Sequence, residues 1–350
     1  MTFVPGFNLE EAKALVAMLA QLEGTTPPPL TAPPLPPNWQ IVFDSPVIGI
    51  FDNKWQLAKN VDAQAQYAVL IRGTVDKAGS IIDDLLSVMI PASGSVFGVP
   101  YQLAADPKAA VHLGFTLATF ILLFDPENGI LIKLIEKGES ITDVFVAGHS
   151  QGASIATLCA SFFQYANIPL LPKNYKTYVF AQAKPGNDHY GDDFNSAVSN
   201  DGMAFSVINN QDWVPQVPLT IELLTDINDP NPLSVLLAEH IILAPVSGAV
   251  KAVKGGISVA QLAKHKPQIE LLSELISRQS LQPAILTDAK LDIPPILLTF
   301  NFVGCGSPIA LQGVPGSNPC DPNDFFWQHH TAMYYDLLAG IPIPTDCPSE

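Results

Sequence analysis

Near the middle of the chain, a short apolar run is followed by a glycine-bounded turn and then by a stretch without helix breakers. Residues 144–147 are apolar and rich in β-branched and aromatic side chains, which predicts a buried strand. Residues 153–160 contain neither glycine nor proline and predict a helix. The pentapeptide GHSQG at 148–152 joins them, and its two glycines allow a tight turn that lifts the Ser150 hydroxyl clear of the backbone. The pattern therefore predicts strand, sharp turn and helix around one serine, against the alternative of an ordinary glycine-rich turn.

The first 37 residues carry two further patterns. Residues 8–22 have the spacing of an amphipathic helix, with Asn8 as its N-cap and Glu11 completing a capping box. Residues 25–37, TTPPPLTAPPLPP, predict an extended polyproline segment. This segment is a flexible tether, a strap across the surface or a ligand for a proline-binding module. We favour the strap, because Leu30 and Leu35 offer apolar anchors.

Composition points toward apolar ligands. Charged residues make up 14% of the chain, against about 25% in typical soluble domains, and apolar residues make up 48%. We expect some of these apolar residues to lie on an exposed or movable surface. The alternative is a large, well-packed core with proline-rich loops. A net charge of −16 argues against nucleic acid and anionic membranes as partners and suits neutral substrates.

Targeting and cofactor signals are sparse. The most apolar run, 233–250, contains Glu239, His240 and Pro245, so no transmembrane segment is expected. Residues 1–7 lack the basic residues of a signal peptide, and the expected location is cytoplasmic or, for a mature chain, secreted. Metal and nucleotide motifs do not occur, so we expect catalysis without a metal or cofactor.

A nucleophilic serine requires a base, an orienting acid and an oxyanion hole, and in α/β-hydrolases the order along the chain is serine, acid, histidine. The acid candidate is Asp212, which follows a predicted strand ending at Ile208 and precedes Pro215. A plain turn aspartate is the alternative interpretation. On spacing alone, three further residues compete for the role: Asp201, Asp226 and Asp229.

Four histidines follow the acid candidate. His240 and His265 lie within predicted helical stretches, where a histidine usually serves packing. His329 and His330 follow a loop at 321–324 and precede a predicted final helix at 331–338. A side chain at such a junction can be aimed freely, so these two are the base candidates, unless they are a solvated pair at a helix start.

Six segments, taken in order, carry a family resemblance. They are YAVLIRGT at 67–74, VHLGF at 111–115, GHSQGAS at 148–154, YVFAQAKPGN at 178–187, NQDWVP at 210–215, and His329 followed by Tyr334, Leu337 and Leu338. As a set they resemble the class 3 lipases, α/β-hydrolases that act on carboxylic esters. The displaced Pro185 departs from the family's pattern. The resemblance covers roughly residues 40–218 and 321–340.

The resemblance implies a role for each matching residue. Ser150 is expected to be the nucleophile, His329 the general base and Asp212 the orienting carboxylate. Thr74 and the backbone N–H of Gln151 are expected to form the oxyanion hole, the latter because it opens a helix. His330 remains the rival base, and its spacing to the final helix fits the family less well.

The resemblance also implies a lid in residues 75–110. Residues 80–87 predict a short helix with an apolar face, and Gly94 and Gly98 are candidate hinges of a flap, with a static loop as the alternative. The stretch between acid and base is longer than compact family members need. Its residues 221–300 predict a helical insertion, which is either a cap that selects long or branched acyl chains or a layer over one sheet face.

Cysteine usage is light. Cys159 is expected to be buried and free. Cys305 and Cys320 bracket a loop and are candidates for a disulfide, with Cys347 as a competitor, so the connectivity stays open. A 305–320 bridge would indicate an oxidising compartment and export.

These inferences combine into one α/β-hydrolase domain over residues 1–350. It has a mixed, mainly parallel sheet flanked by helices, an N-terminal helix and strap at 1–37, a candidate lid at 75–110 and the insertion at 221–300. The expected function is triacylglycerol hydrolysis at a lipid–water interface by a serine lipase. A phospholipase A1 or short-chain carboxylesterase is the alternative within this class. A lipid-binding scaffold is the alternative outside it, and the intact Ser–Asp–His order argues against that.

Overall fold

The computed structural model describes residues 3–49, 52–63, 65–73, 89–96, 99–166, 168–172, 174–218, 220, 294–295, 297 and 299–348. This part of the chain contains both strands and helices. Its strands are β1 (Trp39–Asp44), β2 (Trp55–Asn60), β3 (Gln66–Ile71), β4 (Met89–Pro91), β5 (Ser93–Val96), β6 (Val99–Gln102), β7 (Ala110–His112), β8 (Asp143–His149), β9 (Asn174–Phe180), β10 (Gly186–Asn187), β11 (Ala204–Asn209), β12 (Phe302–Val303) and β13 (Ser307–Leu311). Its α-helices are α1 (Leu9–Glu23), α2 (Leu113–Phe124), α3 (Ile130–Lys137), α4 (Gln151–Tyr165), α5 (Asp188–Ala197) and α6 (Thr331–Ala339). Short 3₁₀ turns cover Gly138–Ser140, Asn200–Gly202, Val214–Gln216 and Trp327–His329.

Seven strands form the central sheet, in the order β1-β2-β3-β8-β9-β11-β13. β2 runs antiparallel to β1 and β3, and every later pair from β3 to β13 is parallel. A smaller sheet has the order β12-β10-β7-β4, and β5 pairs with β6 in a hairpin. The mixed, mainly parallel sheet flanked by helices confirms the expected α/β-hydrolase class. Residues 221–293 of the insertion predicted at 221–300 lie outside the described residues, as does the predicted lid helix at 80–87.

Each face of the sheet is covered by its own helices, because side chains alternate between the two faces of a strand. Tyr67, Val69 and Ile71 of β3 pack into a core that includes α2, α3 and α4. Ala68 and Leu70 of the same strand pack into a second core, with α1 and α6. The N-terminal and C-terminal helices therefore share one face of the sheet, and α4 lies on the other.

The N-cap of α1 is as predicted, but the capping box is wrong. The Asn8 side chain accepts hydrogen bonds from the N–H groups of Glu10 and Glu11. Instead of reaching back to Asn8, Glu11 Oε2 accepts from Lys176 Nζ at 2.7 Å and from the Tyr178 hydroxyl at 2.6 Å. A buried ammonium group needs a carboxylate far more than a helix-terminal N–H does, so the tertiary contact overrides the local motif.

The proline-rich segment lies against the C-terminal part of the chain. Leu30 is buried beside Trp327 and Met333, and Gln21 Nε2 donates to the carbonyl oxygen of Pro33 at 2.9 Å. Leu35, the second expected anchor, is 55% exposed and anchors nothing. The segment therefore packs through Leu30 and Pro33, which are both buried, and Leu30 lies next to the turn that holds His329.

The disulfide joins Cys320 to Cys347, not Cys305 to Cys320. Cys305 is a free, buried thiol whose N–H donates to Gln182 Oε1 at 2.8 Å. It belongs to the sheet core, whereas Cys320 lies in a loop that precedes the final helix. The spacing of the cysteines along the chain could not reveal that Cys305 is buried in the core while Cys320 lies in a loop. Cys159 is free and buried, as expected.

The double substitution Cys320→Ser/Cys347→Ser is expected to lower the free energy of unfolding. A bridge with a sequence separation of 27 residues restricts the unfolded chain, and the loop-closure model gives a loss of roughly 3–4 kcal/mol without it. Urea denaturation of the variant, of the wild type and of the reduced wild type measures this loss. The variant and the reduced wild type should agree, and a variant as stable as the oxidised protein would contradict the prediction.

Candidate active site

Ser150 occupies a strained turn between β8 and α4. Its backbone has φ 60° and ψ −129°, a region that non-glycine residues rarely adopt. Its N–H donates to the carbonyl oxygen of Phe180 at 3.0 Å, which ties the turn to the neighbouring strand β9. Such strain persists only where the surroundings enforce it, and it is concentrated at functional sites. The turn therefore has the geometry of a nucleophile elbow.

The two glycines of the pentapeptide are required by close packing. An added Cβ on Gly148 would lie 2.1 Å from the carbonyl oxygen of Gly152. An added Cβ on Gly152 would lie 2.4 Å from the carbonyl oxygen of Ile71 on β3. The first turn of α4 thus touches two strands directly, and no larger side chain fits between them.

Asp212 lies just beyond the carboxyl end of β11 and is only 2% exposed. Its Oδ1 accepts from the N–H of Val214 at 3.0 Å. Its Oδ2 accepts from His329 Nδ1 at 2.8 Å and from the Tyr334 hydroxyl at 2.8 Å. The carboxylate is therefore held from three sides, with one oxygen directed at an imidazole.

His329 ends a 3₁₀ turn immediately before α6 and is 6% exposed. Because a carboxylate can only accept, the hydrogen bond to Asp212 requires the proton on Nδ1 and leaves Nε2 as the basic nitrogen of the neutral ring. Burial lowers the pKa of His329, and the nearby charge of His149 lowers it further, against the opposing effect of Asp212. The ring is therefore neutral and oriented, as a general base must be.

The rival candidates have other positions. His330 Nε2 contacts both carboxylate oxygens of Asp324, at 3.0 and 3.2 Å. Asp201 is exposed in a 3₁₀ turn. Gln151 begins α4 directly after the serine. Five of the residues considered as candidates lie outside the described residues: Thr74, Asp226, Asp229, His240 and His265.

Sequence reasoning missed three residues at this site. His149 hydrogen-bonds through Nε2 to the carbonyl oxygen of His329 at 2.7 Å, and through Nδ1 to Glu23 Oε1 at 2.8 Å. The Tyr334 hydroxyl reaches Asp212 from the final helix. The pentapeptide and the terminal motif contain His149 and Tyr334, so a signal existed for both. Glu23 belongs to no motif, and only the packing of α1 brings it here.

Exposed aromatic side chains lie beside the histidine. Phe325 is 78% exposed, Trp213 is 44% exposed and Phe326 is 42% exposed. The Trp213 and Phe326 rings lie 5.4 Å apart, and the Phe326 ring lies 5.7 Å from that of His329. Trp213 Nε1 donates to the carbonyl oxygen of Phe325 at 3.0 Å, which joins the acid loop to the histidine loop. This aromatic surface consists of large apolar groups directly next to the site.

No group of three or more histidine, cysteine, aspartate or glutamate side chains among the described residues is arranged to hold a metal ion. No helix among the same residues is long and apolar enough to cross a membrane.

Ser150→Gly is expected to be more stable to unfolding than Ser150→Ala. The alanine keeps the strain of the positive φ, which costs about 1–3 kcal/mol, whereas glycine adopts this conformation freely. Glycine gives back about 0.5–1 kcal/mol through the entropy of the unfolded chain, so a net gain of about 1 kcal/mol remains. Parallel urea denaturation of the two inactive variants measures the difference. A glycine variant no more stable than the alanine variant would show that the turn is unstrained.

The chain matches known proteins over parts of its length. The family model Lipase (class 3) matches residues 68–222. A secreted mono- and diacylglycerol lipase, LIP1 of Malassezia globosa, is 33% identical over 87 residues, which are 25% of this chain and 27% of that protein. The chain thus matches about a quarter of the length of that relative.

Solved structures of lipases are also similar. The Rhizomucor miehei lipase in its propeptide complex is 20% identical, with a TM-score of 0.45 over 60% of this chain and 63% of that chain. The M37 lipase is 17% identical, with a TM-score of 0.45 over 87% of this chain and 77% of that chain. The family match spans the strand before the turn, the Ser150 pentapeptide and Asp212. Residues 68–222 of this chain therefore match the class 3 lipase family.

Proposed function

We propose that this protein hydrolyses the carboxylic esters of acylglycerols through an acyl-enzyme on Ser150. The observation that carries the proposal is the strained serine turn beside the buried pair of Asp212 and His329. The residue before the serine, His149, hydrogen-bonds the main chain of His329. Nucleophile and base therefore lie on adjacent segments, in the order that α/β-hydrolases use.

In this mechanism, Nε2 of His329 takes the proton of the Ser150 hydroxyl while Oγ attacks the ester carbonyl carbon. The resulting tetrahedral intermediate collapses, and His329 gives the proton to the departing alcohol. A water molecule then attacks the acyl-enzyme by the same route and releases the fatty acid. Asp212 stays ionised throughout, holds the ring by Nδ1 and stabilises the transient imidazolium.

Two backbone donors are proposed for the oxyanion of the tetrahedral intermediate. Gln151 begins α4, and a helix N-terminus favours negative charge. Thr74, outside the described residues, is the second donor by family resemblance. Donors aimed at a developing oxyanion are often the largest catalytic contribution, and losing one costs about 10²–10³ in rate.

The substrate class follows from the surroundings of the site. Trp213, Phe325 and Phe326 are exposed next to the proposed base, where they can contact a lipid surface or an acyl chain. A net charge of −16 suits neutral substrates such as acylglycerols better than anionic lipids. The Malassezia globosa relative is a mono- and diacylglycerol lipase by name, which supports testing partial glycerides beside triacylglycerol.

Hydrolysis should depend on Ser150 and should increase with acyl chain length and on emulsified substrate. The measurement is a set of initial rates on p-nitrophenyl esters from acetate to palmitate and on emulsified mono-, di- and triacylglycerol. Ser150→Ala removes the nucleophile and should abolish turnover, since background catalysis without it is small. Activity confined to short soluble esters would indicate an esterase. A folded wild type with no Ser150-dependent activity would refute the proposal.

His329→Ala and His330→Ala should differ sharply. Loss of the base is expected to lower kcat by about 10⁴-fold or more, because serine attack then lacks a proton acceptor. His330 contacts Asp324 and not the proposed triad, so its removal should leave kcat within about threefold of the wild type and should remove only that part-buried contact. The test measures kcat on a soluble ester for both variants. Equal, partial losses would mean that the assignment of the base is wrong.

A further inference from the structure

A second histidine–carboxylate pair lies directly behind the first. Glu23, the last residue of α1, accepts from His149 Nδ1 at 2.8 Å through Oε1 and from the Thr331 hydroxyl at 3.0 Å through Oε2. His149 Nε2 donates to the carbonyl oxygen of His329 at 2.7 Å. The Glu23 carboxylate thus holds the main chain around His329 at two points. One is through His149 and the other is through Thr331.

The hydrogen bonds of His149 determine its charge. Both of its ring nitrogens contact acceptors, a carboxylate at Nδ1 and a peptide carbonyl oxygen at Nε2. Neither partner can donate, so each nitrogen must carry a proton and the ring must be an imidazolium. Its side chain is 4% exposed, and the Glu23 side chain is 17% exposed. The positive charge is thus largely shielded from water and balanced by one carboxylate.

The electrostatics agree with this geometry. Burial opposes the charged ring, yet the charge of Glu23 and its hydrogen bond outweigh it, and the pKa of His149 is raised. Burial likewise opposes the carboxylate, but the contacts with His149 and Thr331 leave the pKa of Glu23 lowered. The rings of His149 and His329 are 4.5 Å apart. A fixed positive charge therefore lies next to the proposed base.

The pair also reaches the back of the nucleophile. A Cβ added to Gly73 would lie 3.0 Å from Ser150 Cβ and 3.4 Å from Glu23 Oε1. Gly73 thus lies between the serine turn, which an added Cβ would crowd, and the carboxylate, which it would meet at an ordinary contact distance. Glu23 is therefore packed against the site and is not a surface charge that happens to point inward.

We propose that Glu23 and His149 are positioning residues of this site: their ion pair fixes the main chain of His329 and places a positive charge beside its ring. The inference rests on the proposed function, in which His329 is the base. Glu23 and His149 touch no reacting atom in this scheme and act only through His329. No bond is made or broken at either residue.

The positive charge has a chemical consequence for catalysis. A like charge beside His329 disfavours its protonation, so the base stays neutral to lower pH. The same charge makes the protonated form a stronger acid toward the departing alcohol. The groups that face His149 are Glu23 from α1, Asp212 from the loop after β11, Tyr334 from α6, and His329 itself. Arg72, after β3, faces Glu23. The acid side of the pH–rate profile should therefore depend on the pair.

Three substitutions separate charge from position. Glu23→Gln keeps groups that can hydrogen-bond to His149 and Thr331 but removes the charge, so His149 becomes neutral. His149→Gln keeps a donor near the position of Nε2, whereas His149→Asn keeps one near Nδ1 and loses the bond to His329. Both His149 variants remove the positive charge beside Glu23, and they differ in which of the two hydrogen bonds they keep. Glu10→Gln, on the exposed side of the same helix, is the control.

The measurements are kcat and KM on a soluble ester across the acid pH range, with active sites counted by a serine-reactive phosphonate. The rate should rise with pH as the base loses its proton. The midpoint of this rise should move to higher pH in Glu23→Gln and in both His149 variants, and not in Glu10→Gln. A 1 Å misplacement of a catalytic group costs about 10²-fold, so kcat should fall by that order in His149→Asn and by much less in His149→Gln. KM should change little.

Two results would overturn the proposal: an unmoved midpoint in Glu23→Gln, or equal kcat in the two His149 variants. A direct measurement avoids variants that fail to fold. Nitrogen NMR of the histidine rings in the otherwise unaltered protein should show His149 doubly protonated at neutral pH, and a neutral tautomer would refute the pair. Wild-type protein inactive on every ester would instead refute the proposed function, and the NMR result would still decide the charge of His149.

Discussion

The contact between β8 and the first turn of α4 is the constraint on which the site depends. Gly148 and Gly152 meet there with no room for a Cβ, and Gly152 also touches the backbone of β3. This approach leaves the chain only a sharp reversal at Ser150, and the reversal forces a positive φ. The free energy stored in that turn comes from the packing of buried strands on either side, since a turn alone would relax. The backbone conformation of Ser150 is thus a product of the core.

Two histidine–carboxylate pairs lie side by side behind this turn, and they differ in charge. In the pair of Asp212 and His329, the carboxylate holds one nitrogen and the other is left basic. In the pair of Glu23 and His149, both nitrogens of the ring donate, so the ring is charged. Two adjacent imidazoles cannot both be protonated cheaply at close range in a buried site. The charge on His149 therefore helps to keep His329 neutral. Burial in the same environment would not by itself give the two rings different charges.

The sequence predicted the parts of the molecule that are encoded locally. The strand, turn and helix around Ser150 follow from a run of neighbouring residues, and chain order then pointed to Asp212 and His329, which the structure brings into contact. Contacts between distant segments escaped prediction. Glu11 bonds Lys176 instead of capping its own helix. Cys320 pairs with Cys347 because Cys305 is in the core. The spacing of residues along the chain does not predict such contacts, because they depend on how deeply each residue is buried and on which elements are neighbours in space.

Glu23 makes a further contact between distant segments, and it lies outside the segment that matches the family model. The matched segment, 68–222, contains the serine and the acid, but α1 precedes it and His329 follows it. These two outer parts meet each other: α1 packs beside α6, Glu23 bonds Thr331, and Leu30 lies against Trp327. The contacts that hold the proposed base therefore come from both sides of that boundary: Asp212 and His149 lie within the matched segment, whereas the pair of Glu23 and Thr331 lies outside it.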